Sequence, residues 1–137
     1  MMPDSADELD FTEISETAMR ISKTNRLSVT SHEHDGILHI KIQPHRKGDE
    51  EGERREVVLS TPGTGIFVLT FDGQWSTHLA AYDREEQIET VEEAIVIART
   101  YLEGAGVSQA VRRLFLPDKK VMVLEVNGEK IVLNDES

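Results

Sequence analysis

The sequence predicts a single α+β domain: a mainly antiparallel sheet of about seven strands, an N-terminal helix, and a second helix before a C-terminal β-hairpin, in the order αβββββα(α)ββ. Three observations carry this prediction. Apolar residues alternate at a period of two through the chain's centre and its C-terminal end. Two stretches switch instead to the three- and four-residue spacing of a helix. Asp35-Gly36, Asp72-Gly73 and Asn127-Gly128 mark tight reversals between alternating runs. A chain of 137 residues suits one domain spanning 1–137.

Ser5 and Glu8 stand at capping-box spacing, and Phe11, Ile14, Ala18 and Ile21 follow at helical steps, so a helix is expected over about 7–23, with 1–6 frayed. Residues 27–31 and 37–43 alternate on either side of Asp35-Gly36 and read as a hairpin with Leu38, Ile40 and Ile42 on one face. Residues 44–55 have no apolar side chain to bury and read as a mobile charged loop. Strand patterns resume at 56–60, turn through 61–65, continue at 66–71 and reverse at Asp72-Gly73 into 74–82, where Trp75, Thr77, Leu79 and Ala81 share a face. Thr90 and Glu93 form a second capping box before the helical face of Val91, Ala94, Ile95, Ala98 and Leu102, which ends before Gly104. Ser108 offers an N-cap for a further short helix stopped near Pro117, and 121–126 with 129–133 closes the chain as a hairpin.

Residues 66–71 and 121–126 are apolar on both faces, so both faces of the sheet centre are expected to be covered, within the chain or, as the second option, in a homodimer.

The net charge of −11 is concentrated in three places: 1–16, 49–56 and 83–93. Nucleic-acid binding draws on clustered Lys and Arg, which such a surface lacks, so direct binding is not expected. No apolar run spans a bilayer and the acidic N-terminus does not resemble a secretory or transit signal, which predicts no membrane association and a cytoplasmic location. The absence of cysteine removes disulfides, thiolate metal sites and cysteine nucleophiles.

Candidate chemistry is sparse. His32 and His34 point the same way in an extended chain and offer two imidazoles to a metal. However, Asp35 follows directly and no third histidine completes the His-x-His-x-Asp-His pattern of metallo-β-lactamase-like hydrolases, so no metal site is expected. Asp72, Ser76 and His78 supply the residue types of a nucleophilic triad, but the last two lie about 7 Å apart along a strand, too far for a direct hydrogen bond. The glycines of 61–65 lead into a strand rather than a helix N-terminus, unlike a phosphate loop. Glu85, Glu86, Glu89, Glu92 and Glu93 lack the glycine-centred spacing of a calcium loop and complement a helix N-terminus.

The expected function is therefore non-catalytic recognition of a basic partner protein, in the manner of an immunity or antitoxin-like inhibitor or a secretion chaperone. The expected contacts are Asp49, Glu50, Glu51, Glu53, Trp75, Glu85, Glu86 and Glu89, with no cofactor. The alternative is an enzyme or ligand-binding domain whose site is assembled from His32, His34, His39 and His78 with neighbouring acids.

Overall fold

A computed structural model describes residues 9–44, 56–104, 107–111 and 119–135. The α+β class and element order are as expected. Helix α1 (Phe11–Thr24) precedes five strands: β1 (Leu27–His34), β2 (Ile37–Pro44), β3 (Val57–Thr61), β4 (Ile66–Phe71) and β5 (Trp75–Ala80). Helix α2 (Arg84–Leu102) follows, then β6 (Val107–Val111), β7 (Lys119–Val126) and β8 (Glu129–Asp135). All eight strands form one sheet in the order β1-β2-β3-β4-β5-β8-β7-β6, with every neighbouring pair antiparallel.

One element differs in kind. The segment from Ser108, read as a possible short helix, is strand β6, which adds the eighth strand by pairing with β7 from Val107 against Val123 to Val111 against Lys119. Val107, Gln109 and Val111 alternate with Ser108 and Ala110, and the neighbouring β7 supplies backbone partners that a two-turn helix would have to find within itself.

Both helices begin elsewhere than at the expected caps. Asp10 caps α1: its carboxylate accepts the Glu13 N–H at 2.8 Å, and Glu13 accepts the Asp10 N–H at 3.2 Å. Leu9 and Ile14 occupy the positions of a hydrophobic staple and are both buried. Ser5 and Glu8 lie outside the described residues. Asp83 caps α2, accepting the Glu86 N–H at 2.8 Å, so the expected cap Thr90 is instead buried within the helix.

All three short reversals match their sequences. Asp35-Gly36, Asp72-Gly73 and Asn127-Gly128 each place two successive residues at positive φ, as a type I′ turn requires. The pairings of β2, β3, β4 and β5 bring Ile40, Leu59, Leu69 and Thr77 into one row and Ile42, Val57, Phe71 and Trp75 into the next. Helices α1 and α2 cover this face. Ile14, Ala18 and Ile21 of α1 and Val91, Ile95 and Ala98 of α2 join Leu59, Phe67 and Leu69 in one core.

The expectation that both faces are covered is met only in part: on the side away from the helices Ser76 and Val121 are buried, but β4 is not sealed there. Ile66 is 48% exposed, and Val68 and Thr70 are only partly buried, whereas Phe67, Leu69 and Phe71 on the helix side are sealed. The expected loop at 44–55 lies outside the described residues except Pro44, which ends β2.

Residues 61–65 form a turn that passes beneath the helices. Gly65 has φ +82°, its carbonyl accepts the Ala81 N–H at 2.8 Å, and a Cβ there would stand 2.1 Å from the Ala81 carbonyl oxygen. Gly65→Ala is expected to cost about 2–4 kcal/mol, from backbone strain plus the displaced hydrogen bond. Gly73→Ala, with φ +70° but open space around it, should cost only about 1–2 kcal/mol. Chemical denaturation of the two variants measures the difference.

Candidate functional site

Helix α2 buries a broad stripe that includes Val91, Ala94, Ile95 and Ala98, which leaves its charged positions turned away from the core. Glu89, Glu92, Glu93 and Val96 stand at steps of three and four on one side of the helix, and the β7–β8 hairpin packs beside them. Together they form an open groove of about 330 Å3. Val96 and Ile131 contribute to its floor and Glu89, Glu92, Glu93 and Glu129 to its rim, and no Lys or Arg lines it. Like charges at these helical spacings destabilise a helix by about 0.2–0.5 kcal/mol per pair.

Glu85 and Glu86 are exposed at the N-terminal end of the same helix. The hydrogen bond between the Glu86 and Asp83 side chains, with the Asp83 charge and more weakly that of Glu89, raises the Glu86 carboxyl above its ordinary 4.5. Glu89, named from the sequence, thus belongs to the groove. Glu92 and Glu93 join it from among the acids assigned to the helix end, and Glu129 was missed. Nothing local in the sequence reveals that β8 returns beside α2. Asp49, Glu50, Glu51 and Glu53 lie outside the described residues. Trp75 requires correction as a contact residue: at 5% exposure it belongs to the core, because its register opposite Phe71 turns the indole under the helices.

The histidines occupy the other side of the sheet. His32 and His39 are cross-strand partners with stacked rings, their centroids 5.2 Å apart, and His39 Nδ1 lies 3.0 Å from Ser60 Oγ. The same row continues through Ser60 and Val68 to His78 on β5, so three strand spacings, about 14 Å, separate His39 from His78. His34 lies 3.2 Å from Asp35, and both are exposed. The described residues contain no group of three or more His, Asp or Glu able to hold a metal, and the four histidines share a face without sharing a pocket.

The remaining triad residue types are also occupied structurally or kept apart. Asp72 accepts the Tyr101 hydroxyl at 2.5 Å and the Glu56 N–H at 2.8 Å, Ser76 is buried, and His78 is exposed. None of the helices among the described residues is long and apolar enough to cross a membrane. Comparison with protein-family models, with curated proteins and with solved structures finds no match.

Two measurements follow from this geometry. Trp75 should fluoresce as a buried indole and shift to the red only on unfolding. Because the Glu86 carboxyl is raised in the folded state, its contribution to stability is fully present below the ordinary value and is lost as pH rises through the raised one. Glu86→Gln should therefore increase the melting temperature at pH 7 relative to the parent chain, and the gain should vanish below about pH 4.

Proposed function

We propose that this domain is a non-catalytic recognition module that takes up a basic partner protein at the acidic groove between α2 and the β7–β8 hairpin. The observation that carries the reading is the make-up of that groove: carboxylates from two elements distant in sequence surround an apolar floor, without a cation among the lining residues. An apolar floor with a charged rim is the arrangement by which interfaces combine buried contact with electrostatic selection. A lysine- or arginine-bearing segment laid along the groove would relieve the repulsion among Glu89, Glu92 and Glu93 while its apolar residues covered Val96 and Ile131.

Charge also favours this kind of partner kinetically. A chain of −11 attracts a basic protein over a Debye length of about 8 Å at physiological salt, and such steering raises association rates by about 10–1,000-fold. An inhibitor of the immunity or antitoxin kind and a chaperone of secreted proteins both work through stoichiometric recognition of this type.

The test compares the parent chain with a Glu89→Gln, Glu92→Gln, Glu93→Gln, Glu129→Gln variant, each immobilised and exposed to native lysate at low salt. The parent should retain a basic protein that elutes as salt rises, and the variant should not retain it. With that protein purified, the on-rate should fall about tenfold or more in the variant and lose most of its salt dependence. Equal retention by both chains would refute the groove as the site.

A further inference from the structure

The described helices lie on one side of the sheet, and on the opposite side Ser76 and Val121 are buried while the part around Ile66 and Val132 is left exposed. We propose that this face is the interface of a homodimer in which two copies pack sheet against sheet about a two-fold axis.

The exposed positions of this face mix polar side chains, Ser28, Thr30, His32 and His78 among them, with apolar ones. Ile66 and Val132, 48% and 50% exposed, stand on it with the partly buried Val58, Val68 and Val123. It is also nearly free of charge. Although the chain has 26 acids, none occupies an outward position within β1–β5. The only Lys or Arg at those positions, Lys41, is paired with Glu56 at 3.6 Å. On β7 and β8, Glu125 stands opposite Lys130 in the register. The five strands β1–β5 at about 4.8 Å spacing and about 20 Å length span roughly 480 Å2, the scale of a small interface, below the ~800 Å2 per partner of a standard one.

Charge selects the occupant. A basic partner gains little attraction from a face whose few acids, Glu56 and Glu125, stand beside Lys41 and Lys130, and an acidic partner is repelled by the rest of the molecule. A second copy, itself at −11, meets least repulsion where acids are few on both surfaces, and this face brings the half-exposed Ile66 and Val132 to the contact from each side. The contact is isologous and therefore closes at two copies. Aligned packing at about 30° with about 10 Å between sheets is the geometry open to it.

The test is the mass of the full chain by light scattering and sedimentation from about 1 to 100 μM at physiological salt, spanning the affinities of interfaces this size. The expected result is twice the monomer mass, falling to the monomer in an Ile66→Glu, Val132→Glu variant that keeps the parent's circular dichroism spectrum. A monomeric parent at the highest concentration, or a dimer that survives both charges, overturns the proposal. Because the chain has no cysteine, a spin label on Val132→Cys provides a second reading independent of that variant's folding. Labels at 132 should couple across the dimer at a distance set by the sheet spacing, and labels on Glu92→Cys should be farther apart. The reverse order overturns the face as the interface.

Discussion

Everything in this fold depends on the rows of apolar residues that cross β2, β3, β4 and β5. Ile40 opposite Leu59 opposite Leu69, and Ile42 opposite Val57 opposite Phe71, put one side chain from each strand onto the same face in each row. A slip of one residue in any pairing would send that strand's apolar set to the other face. The tight turns at Asp35-Gly36 and Asp72-Gly73 fix the registers of β1 on β2 and of β4 on β5, and the burial of Val57 and Leu59 beneath the helices holds β3 between them. The face so formed is the surface on which α2 lies, and α1 is held in turn by α2 and β1.

Polar contacts then fasten what the core has positioned. Arg84 at the start of α2 makes a bidentate pair with Glu13 of α1, and Arg99 near its end donates to Asn25 at 2.8 Å. The two helices are thus tied at both ends. Leu9 donates its N–H to the buried Gln87 at 2.9 Å, which anchors the chain entering α1 to α2. Asp72 shows how one residue serves two scales. Its αL conformation belongs to the turn, while its carboxylate joins the end of α2 through Tyr101 to the start of β3 through Glu56.

What could be read in the sequence follows the range of the forces involved. Turns are set by two residues, and all three Asp-Gly or Asn-Gly reversals were legible. Strand faces are set by a period of two, and the burial of Leu38, Ile40 and Ile42 followed from it. Helix starts were less legible because capping chemistry is degenerate. Thr90 and Glu93 have capping-box spacing, as Asp10 and Glu13 do, and only packing shows that Thr90 lies deep in α2 beneath an earlier cap at Asp83. β6 was missed because 107–111 gains its stability from β7, a partner that begins eight residues further along the chain. The acidic groove was half legible for the same reason: Glu89, Glu92 and Glu93 share a helix, but Glu129 reaches them only because β8 is inserted beside β5.

The separation of charge in this molecule has a physical consequence for how it can associate. Acids are tolerated on α2 because that side faces solvent, and their mutual repulsion is lowered by any cation that docks there. On the opposite face they are nearly absent, and apolar side chains remain half exposed in a protein whose other surfaces keep copies apart. The two surfaces therefore prefer opposite partners and respond oppositely to salt. Raising ionic strength weakens the attraction of the groove for a basic protein and weakens the repulsion between two acidic copies. A dimer joined through its sheets would turn its two grooves outward and away from each other, so a partner with two basic segments could engage both. It would then gain effective concentration without any new contact.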